Sequence, residues 1–229
     1  MKDIVIVGAG GFAREVAWLI EEINKEKKEW NLLGFIDDNE ENIGKELNGY
    51  KIIGTTEYLN EELSRDIYIV IAIGNGKIRA KIVNKLKDRK YAILIHPNVK
   101  ISSTNLIEEG SIICSGTIIT VNIEIGKHVI INLDCTIGHD ATIEDYATIL
   151  PSVNLSGNTV TKKYTTLGTG TKVIQGVTIG ENVIVGAGTV VIRDVENNVT
   201  AVGNPASALV RGMVELTEQG YIVTDENQK

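Results

Sequence analysis

The sequence predicts a chain of two halves, a small parallel sheet covered by helices and then a solenoid of short stacked strands. Two observations carry this prediction. Up to about Pro97, short apolar runs alternate with amphipathic segments, and from Val99 to Asp194 the chain follows a strict six-residue repeat. The 229 residues therefore divide into a first domain at 1–97, a repeat domain at 98–212 and a polar tail at 213–229.

The first domain consists of alternating strand-like and helix-like segments. Asp3–Val7, Leu32–Ile36 and Ile67–Ile73 are apolar runs of strand length. Phe12–Asn24 and Lys77–Lys87 carry their apolar residues on one face of a helix. This alternation predicts a small Rossmann-like parallel sheet with helices packed against it.

The repeat domain shows its period at two places of each six-residue block. The third place is Ile, Leu or Val in every block except the one that has Thr161, and the first place is mostly small or β-branched. One block cannot bury its own apolar side chain, whereas coils stacked about 4.8 Å apart bury these side chains as a continuous ladder. Gly126, Gly138 and Gly180 share one place in their blocks, where we expect the chain to bend at a corner.

The composition narrows the range of partners. A net charge of −7 argues against a nucleic acid, whose phosphates usually need a basic surface. No apolar run approaches the length of a membrane span, so we expect a cytoplasmic protein without a membrane partner. Cys114 and Cys135, without a CxxC motif, do not form a usual zinc framework, and we expect no metal.

A glycine-rich loop, Gly8–Ala13, follows the first strand and opens the first helix. Its spacing is close to the dinucleotide fingerprint, and Asp37 and Asp38 end the second strand where a ribose-binding acid would lie. A nicotinamide-dependent dehydrogenase is therefore one hypothesis. Against it, the first domain is too short for a complete two-lobed dinucleotide fold, and a solenoid is unlike a dehydrogenase substrate domain.

His139 is the candidate catalytic group among the three histidines. It follows a corner glycine, and because Ile137 points into the coil, the imidazole should project outward; the competing interpretation is a plain surface histidine. Neutral imidazole can take the proton from an attacking amine or hydroxyl, and Asp140 could orient it. We expect His96 to pack where the halves join, and His128 to be an exposed corner without a role. A zinc hydratase would need three converging histidines, which one subunit does not supply.

The six-residue blocks resemble those of the hexapeptide-repeat acyltransferases. The two halves together resemble the bacterial sugar O-acyltransferase group, also called the sialic acid O-acetyltransferase family, and within it the N-acetyltransferases of UDP-4-amino-4,6-dideoxy sugars. The resemblance runs from Lys2 to Val210. It implies a left-handed parallel β-helix, a homotrimer with active sites between subunits, and direct transfer from acetyl-CoA in a ternary complex. It also gives the glycine loop another use, binding the nucleotide diphosphate of a sugar substrate.

The same resemblance implies the catalytic and substrate-binding residues. His139 would be the general base and Asp140 its orienting acid, for which Glu144 or Asp145 could substitute, and Asn132 would lie near the reacting centre. The nucleotide sugar would contact the glycine loop, the end of the second strand and an Ile-Gly-Asn segment: Gly10, Gly11, Phe12, Asp37, Asp38, Ile73, Gly74 and Asn75.

The coenzyme contacts implied by the resemblance lie on the later coils. The N–H of Gly157 would meet the tetrahedral oxyanion, and the expected contacts to acetyl-CoA are Thr148, Gly157, Thr169 and Ala187. Ser207 stands where relatives carry a basic residue, and Arg211 could supply that contact instead. Arg79 would either approach a phosphate or be a solvated charge on a helix face.

These observations predict an acetyl-CoA-dependent N-acetyltransferase of a nucleotide-linked 4-amino-4,6-dideoxy sugar. Two alternatives stay open: O-acetylation of a sugar hydroxyl, such as that of sialic acid, by the same residues, and a non-catalytic scaffold that binds a nucleotide. The presence of a nucleotide-type loop beside the repeat domain favours a nucleotide-linked acceptor over a free sugar.

Overall fold

The computed structural model describes residues 1–86, 88–209, 213–217 and 220–224. As predicted, the first domain is a sheet with helices packed against it. Its elements are the strands β1 (Lys2–Val7), β2 (Trp30–Ile36), β3 (Glu46–Leu47), β4 (Tyr50–Gly54), β5 (Tyr68–Ile71) and β6 (Lys90–Tyr91), and the helices α1 (Gly11–Glu26), α2 (Thr56–Glu61) and α3 (Gly76–Lys85). The strand order is β3-β4-β2-β1-β5-β6, and all neighbours are parallel except the β3–β4 hairpin.

The segment between β2 and β5 contains elements that the sequence analysis does not predict. β3 has two residues and α2 has six, so neither is long enough to show a period. The local chemistry nevertheless explains them. Asn48 and Gly49 turn the hairpin at positive φ, and the Thr55 side chain caps α2 by accepting a hydrogen bond from the Tyr58 N–H.

The repeat domain is a parallel β-helix in which each coil gives one two-residue strand to each of three sheets. We call these sheets faces 1, 2 and 3 of a prism. Face 1 contains Leu94–Ile95, Ile112–Ile113, Ile130–Ile131, Thr148–Ile149, Thr166–Leu167, Ile184–Val185, Thr200–Val202 and the antiparallel Ser207–Ala208. Face 2 contains Lys100–Ile101, Ile118–Ile119, Thr136–Ile137, Asn154–Leu155, Lys172–Val173 and Val190–Val191. Face 3 contains Leu106–Ile107, Glu124–Ile125, Thr142–Ile143, Val160–Thr161 and Thr178–Ile179.

The six-residue repeat is confirmed as the basis of this fold. Strand pairs are offset by 18 residues, as in Ile112 with Ile130, so three blocks make one coil. The third-place residues from Ile113 to Val191 point into the prism and are buried, including Thr161, whose hydroxyl has no hydrogen-bond partner there. The register shortens at the end, where Ile184 pairs with Thr200. The left-handed winding implied by the resemblance stays a prediction.

The corners of the prism require a residue with positive φ at every sixth position from 110 to 188. Non-glycine residues there include His128 (φ 54°), Asp140 (φ 56°) and Tyr164 (φ 61°). The expectation that Gly138 itself provides the bend at the corner is wrong, because the residue with positive φ lies two residues later, at Asp140. Gly138 is small because the coils approach closely: a Cβ built on it would lie 2.5 Å from the backbone nitrogen of Gly157.

The first domain packs on the outside of face 1. The outward side chains of Leu94, Ile112 and Ile130 join α1 in one hydrophobic cluster with residues such as Val16 and Ile20. His96 packs beside the Trp18 ring, with 6.2 Å between ring centroids, which confirms its predicted place at the junction. Because Leu94 and Ile95 already form the first strand of face 1, the repeat domain begins before the predicted boundary at 97–98.

The tail contains a hairpin of two antiparallel strands, Met213–Thr217 and Gly220–Thr224. Arg211, expected to supply a basic contact, lies outside the described residues. Within the described part of the chain, no helix has the length and apolarity needed to cross a bilayer.

Candidate active site

The positions of the site residues are described by the three edges of the prism. We call them edge 1–2, edge 2–3 and edge 3–1, after the faces that they join. His139 and Asp140 follow the strand Thr136–Ile137 and therefore lie on edge 2–3. Their side chains are about half exposed, at 50% and 47%, as predicted for an outward imidazole.

The imidazole of His139 is oriented by its neighbour. Its Nδ1 lies 2.7 Å from Oδ2 of Asp140. Because an ionised carboxylate can accept but not donate, the neutral form of the ring has its proton on Nδ1 and its lone pair on Nε2. Nε2 lies over Gly157 of the next coil, where a Cβ built on the glycine would be 2.4 Å away. The arrangement is that of a base with its free nitrogen held along the edge of the prism.

The carboxylate of Asp140 is itself held from the preceding coil. The Asn122 side-chain amide donates to its Oδ1 at 3.2 Å. The hydrogen bonds from His139 and Asn122 hold the pKa of the Asp140 carboxyl below its usual value, so it is charged at neutral pH. The shorter side chain therefore reaches the imidazole. Glu144 and Asp145, considered as substitutes, lie on edge 3–1, where they bond Lys163.

The predicted nucleotide-binding residues come together at one edge of the first domain. Gly10, Gly11 and Phe12 follow β1, Asp37 and Asp38 follow β2, and Ile73, Gly74 and Asn75 follow β5. Since β2, β1 and β5 are adjacent and parallel, their carboxyl ends meet at the same edge of the sheet. Gly10 and Gly11 are exposed there, at the beginning of α1.

The polar groups in this cluster differ in how much of their bonding capacity the protein uses. Asp37 accepts from the Asn39 N–H and from the Asn42 amide. Asp38 accepts from the Thr56 N–H with one oxygen. The Asn75 side-chain oxygen caps α3 through the N–H groups that follow it. Of the two aspartates, Asp38 is the more exposed and keeps the freer carboxylate.

Arg79 is neither solvated nor available to a phosphate, because its donors bond protein oxygens, which corrects both interpretations of its role. It is 1% exposed and donates to six oxygens. These are the carbonyls of Ile73, Gly74, His128, Tyr146 and Ala147, and the hydroxyl of Thr148, at 2.7 to 3.0 Å. Burial lowers the pKa of Arg79 to about 9, which still leaves the guanidinium charged at neutral pH.

His128 is buried rather than exposed, which corrects the expectation for this corner. It is 2% exposed because the first domain covers edge 3–1. Its ring stacks on Tyr146 at 5.3 Å, Tyr146 stacks on Tyr164 at 5.6 Å, and Tyr91 meets the His128 ring edge-on. Desolvation, with Arg79 as a lesser cause, lowers the pKa of His128 to about 4, so it is neutral in the folded protein.

The predicted catalytic and coenzyme residues are divided among different edges. Asn132 lies on edge 1–2, one face away from His139, and Thr169 and Ala187 lie exposed on that same edge. Gly157 lies on edge 2–3 beside His139. Thr148 is on face 1, 1% exposed, with its hydroxyl bonded to Gly74 and Arg79. The expectation that Thr148 lines the coenzyme is therefore corrected, because the first domain covers it.

Neither cysteine is suited to act as a nucleophile, because both thiols are buried. Burial raises the pKa of Cys114 to about 12 and that of Cys135 to about 11. Among the described residues there is no group of three or more His, Cys, Asp or Glu side chains that could hold a metal ion.

The nucleotide-type loop and His139 lie on opposite sides of one chain. The first domain covers face 1 from edge 3–1, where a Cβ on Gly76 would be 2.2 Å from the Tyr146 carbonyl, to edge 1–2, where α1 meets Leu133. Edge 2–3 is the edge opposite face 1. One subunit therefore does not bring its own loop and its own imidazole together.

Two structural features of the domain junction were not predicted from the sequence, although one of them has a recognisable sequence pattern. His128, Tyr146 and Tyr164 are separated by 18 residues each, the length of one coil. Aromatic residues recurring at a position otherwise occupied mostly by Gly, Asn or Asp indicate a stacked column. The Arg79 contacts leave no such signal, because they depend on how the two domains dock.

The comparisons with known proteins agree with this architecture. Residues 3–86 match the family model described as the PglD N-terminal domain. The chain is 31% identical over 215 residues to GDP-perosamine N-acetyltransferase of Escherichia coli O157:H7, spanning 90% of this chain and 96% of that protein.

Two solved structures are similar over nearly the whole chain. The acetyltransferase domain of PglB from Neisseria gonorrhoeae, solved alone and with acetyl coenzyme A, superposes with a TM-score of 0.84 at 31% identity, covering 91% of this chain and at least 99% of that one. A histidine-to-asparagine variant of perosamine N-acetyltransferase from Caulobacter crescentus, in complex with CoA and GDP-perosamine, gives a TM-score of 0.83 at 28% identity, covering 92% and 98%.

The chain matches acetyltransferases over nearly its whole length, which excludes the dehydrogenase hypothesis and the hypothesis of a scaffold without activity. The two-domain fold and the length of the aligned region agree with the resemblance found in the sequence. The chain therefore belongs to the family of hexapeptide-repeat sugar acetyltransferases that carry a PglD-type N-terminal domain.

Proposed function

We propose that this enzyme transfers the acetyl group of acetyl-CoA to the amine of a nucleotide-linked 4-amino-4,6-dideoxy sugar, with His139 as the general base. The observation that carries the proposal is the pair at edge 2–3: Nδ1 of His139 bonded to Asp140, and Nε2 free over Gly157. The relatives support the substrate class, since their names include an N-acetyltransferase of GDP-perosamine.

The sugar nitrogen loses two protons on the way from ammonium to amide. The first goes to solvent and frees the lone pair, and Nε2 of His139 accepts the second as the amine attacks the thioester carbonyl. Asp140 stabilises the imidazolium that forms. The N–H of Gly157 donates to no acceptor among the described residues, so it is available to the oxyanion. The tetrahedral intermediate then expels the CoA thiolate, which takes the proton back from the imidazolium and leaves as the thiol, and the buried cysteines take no part.

A complete site requires groups from two copies of the chain. The loop residues and Asn132 belong to the side covered by the first domain, and His139 and Gly157 belong to the opposite edge. We propose that a cyclic homotrimer places edge 2–3 of one subunit against edge 1–2 of the next. The exposed Thr169 and Ala187 on edge 1–2 would then line the coenzyme together with the neighbour's Gly157.

The test is a panel of UDP-, GDP- and dTDP-linked 4-amino sugars and matching hydroxyl sugars, each assayed for CoA thiol release from acetyl-CoA. Turnover with a nucleotide amino sugar, and its loss in His139→Asn, supports the proposal. Turnover with sialic acid or another sugar hydroxyl but with none of the nucleotide amino sugars would replace N-acetylation by O-acetylation. An unchanged rate in His139→Asn would remove the general-base assignment.

A further inference from the structure

We infer that Arg79 is a positioning residue that, together with Thr148, fixes the Ile73–Asn75 segment in its substrate-binding form and ties it to the β-helix. The inference rests on the proposed function, because it assigns the segment's ligand to the nucleotide sugar. Arg79 touches no substrate itself: its donors are all directed at protein oxygens in the buried junction. It acts through the backbone that it holds.

The orientation of two peptide groups carries the argument. Nη1 of Arg79 donates to the carbonyls of Ile73 and Gly74 at 2.8 and 2.9 Å. Because each peptide is planar and trans, the N–H bonded to each of these carbonyl carbons points the opposite way. The N–H groups of Gly74 and Asn75 are therefore directed away from the junction, and neither donates to any acceptor in the described part of the chain.

Thr148 completes the clamp from the β-helix. Its hydroxyl donates to the Gly74 carbonyl at 2.7 Å and accepts from Nη1 of Arg79 at 3.0 Å. The Gly74 carbonyl thus has two donors, one from each domain. Nη2 and Nε of Arg79 bond carbonyls of Tyr146, Ala147 and His128, which fix the guanidinium against edge 3–1. Removing the threonine hydroxyl loosens the segment while most of the arginine contacts remain.

The consequence for the reaction is a split between the two substrates. A looser Ile73–Asn75 segment weakens binding of the nucleotide sugar equally in the ground state and in the transition state. It leaves acetyl-CoA binding unchanged, because Thr148 and Arg79 are buried in the junction between the two domains. A coenzyme role for Thr148 makes the opposite prediction, a raised KM for acetyl-CoA.

The experiment compares three variants of the full chain. Thr148→Val removes the hydroxyl with little change of shape, and Thr148→Ser keeps it. Thr165→Val is the matched control, since the buried Thr165 hydroxyl also donates to one carbonyl, that of Gly180, and accepts from one N–H, that of Val183, but both partners lie within the β-helix. KM for both substrates, kcat and the unfolding temperature are measured for each.

We expect Thr148→Val to raise KM for the nucleotide sugar about threefold to tenfold, the equivalent of one lost hydrogen bond, with kcat and the KM for acetyl-CoA within about twofold of wild type. Thr148→Ser should restore KM, and Thr165→Val should lower the unfolding temperature without changing KM. A raised KM for acetyl-CoA, or equal KM values in Thr148→Val and Thr165→Val, overturns the inference.

The inference and the proposed function fail in different ways. If the wild-type enzyme turns over none of the nucleotide amino sugars, the proposed function fails. Calorimetric titration of the same variants with UDP, GDP and dTDP then decides the positioning role: a Kd weakened by Thr148→Val and restored by Thr148→Ser supports it. A Kd that stays at the wild-type value, or wild-type protein that binds none of the three, overturns it.

Discussion

Edges 2–3 and 3–1 each carry a corner histidine, His139 and His128, and the same repeat gives the two side chains opposite environments. Each corner consists of the last three residues of a six-residue block. His139 is the second residue of its corner, and its side chain is half exposed and bonded to the carboxylate of Asp140. His128 is the third residue of its corner, where φ is positive, and it is buried in an aromatic column under the first domain.

The difference shows which level of structure decides a histidine's role. Both residues follow a corner glycine, and the solenoid alone would expose both. One edge is covered by the docked domain, and the other is left open. The position of a residue within its corner determines the direction of its side chain. The docking of the first domain determines whether that side chain is buried or exposed to solvent.

The largest effect should come from the open edge. His139→Asn removes the base, and we expect kcat to fall about 10²-fold or more with the fold kept. Lys127→Asn is the matched control, at the same corner place on edge 3–1, where an exposed ion pair with Glu109 contributes little. Steady-state rates and circular dichroism check both. Comparable losses of rate in the two variants would contradict a special role for edge 2–3.

Gly157→Ala should have the next largest effect. The added Cβ would lie 2.4 Å from Nε2 of His139, so the imidazole must move, and a displacement of this size costs about tenfold to a hundredfold in kcat. The exposed neighbour Ser156→Ala serves as the control for the corner itself. An alanine variant with the wild-type kcat would show that the ring does not work from this position.

Asp140→Asn tests the orienting acid. The amide cannot stabilise the imidazolium, and we expect kcat to fall about fivefold to tenfold, a modest loss because the pair is half exposed. Asp88→Asn is the control, since Asp88 is exposed, has the same positive φ and lies before β6 in the first domain, outside the β-helix edges of the proposed site. The assignment fails if kcat is equal in the two variants.

Burial of His128 on edge 3–1 should affect the free energy of unfolding rather than the reaction rate. The pKa of His128 is lowered to about 4 in the folded protein, against about 6.5 when unfolded, so only the unfolded chain takes up a proton as the pH falls between these values. The free energy of unfolding should drop by up to about 1.4 kcal/mol per pH unit from pH 6.5 to 4.

His128→Phe keeps an aromatic ring at a corner where Tyr146 and Tyr164 show that rings are tolerated. In this variant the histidine contribution to the pH dependence should disappear, as measured by urea unfolding at pH 7, 5.5 and 4.5. The same slope in wild type and variant would mean that His128 is not the buried neutral group described here.

Local sequence predicted the elements whose pattern repeats. The third-place ladder from Ile113 to Val191 and the outward His139 follow from the six-residue period alone. The β3–β4 hairpin and α2 are too short to show a period, and the reason for Gly138 needed the position of the next coil.

The contacts between the first domain and the β-helix could not be predicted from the sequence. Arg79 looks like a helix-face charge until α3 is placed against edge 3–1, and Thr148 resembles a coenzyme contact until the first domain covers it. The corner place of His128 is visible in the repeat, but its burial is not.

We propose that a working site joins the loop of one copy of the chain to His139 of another. Its most direct test mixes His139→Asn with Gly10→Glu, which puts a like charge at the diphosphate loop where a Cβ has open space. Each variant alone should be inactive, and random mixing in a trimer should restore both intact groups at about one quarter of the sites. Mixed assemblies that stay as inactive as the separate variants would contradict the account.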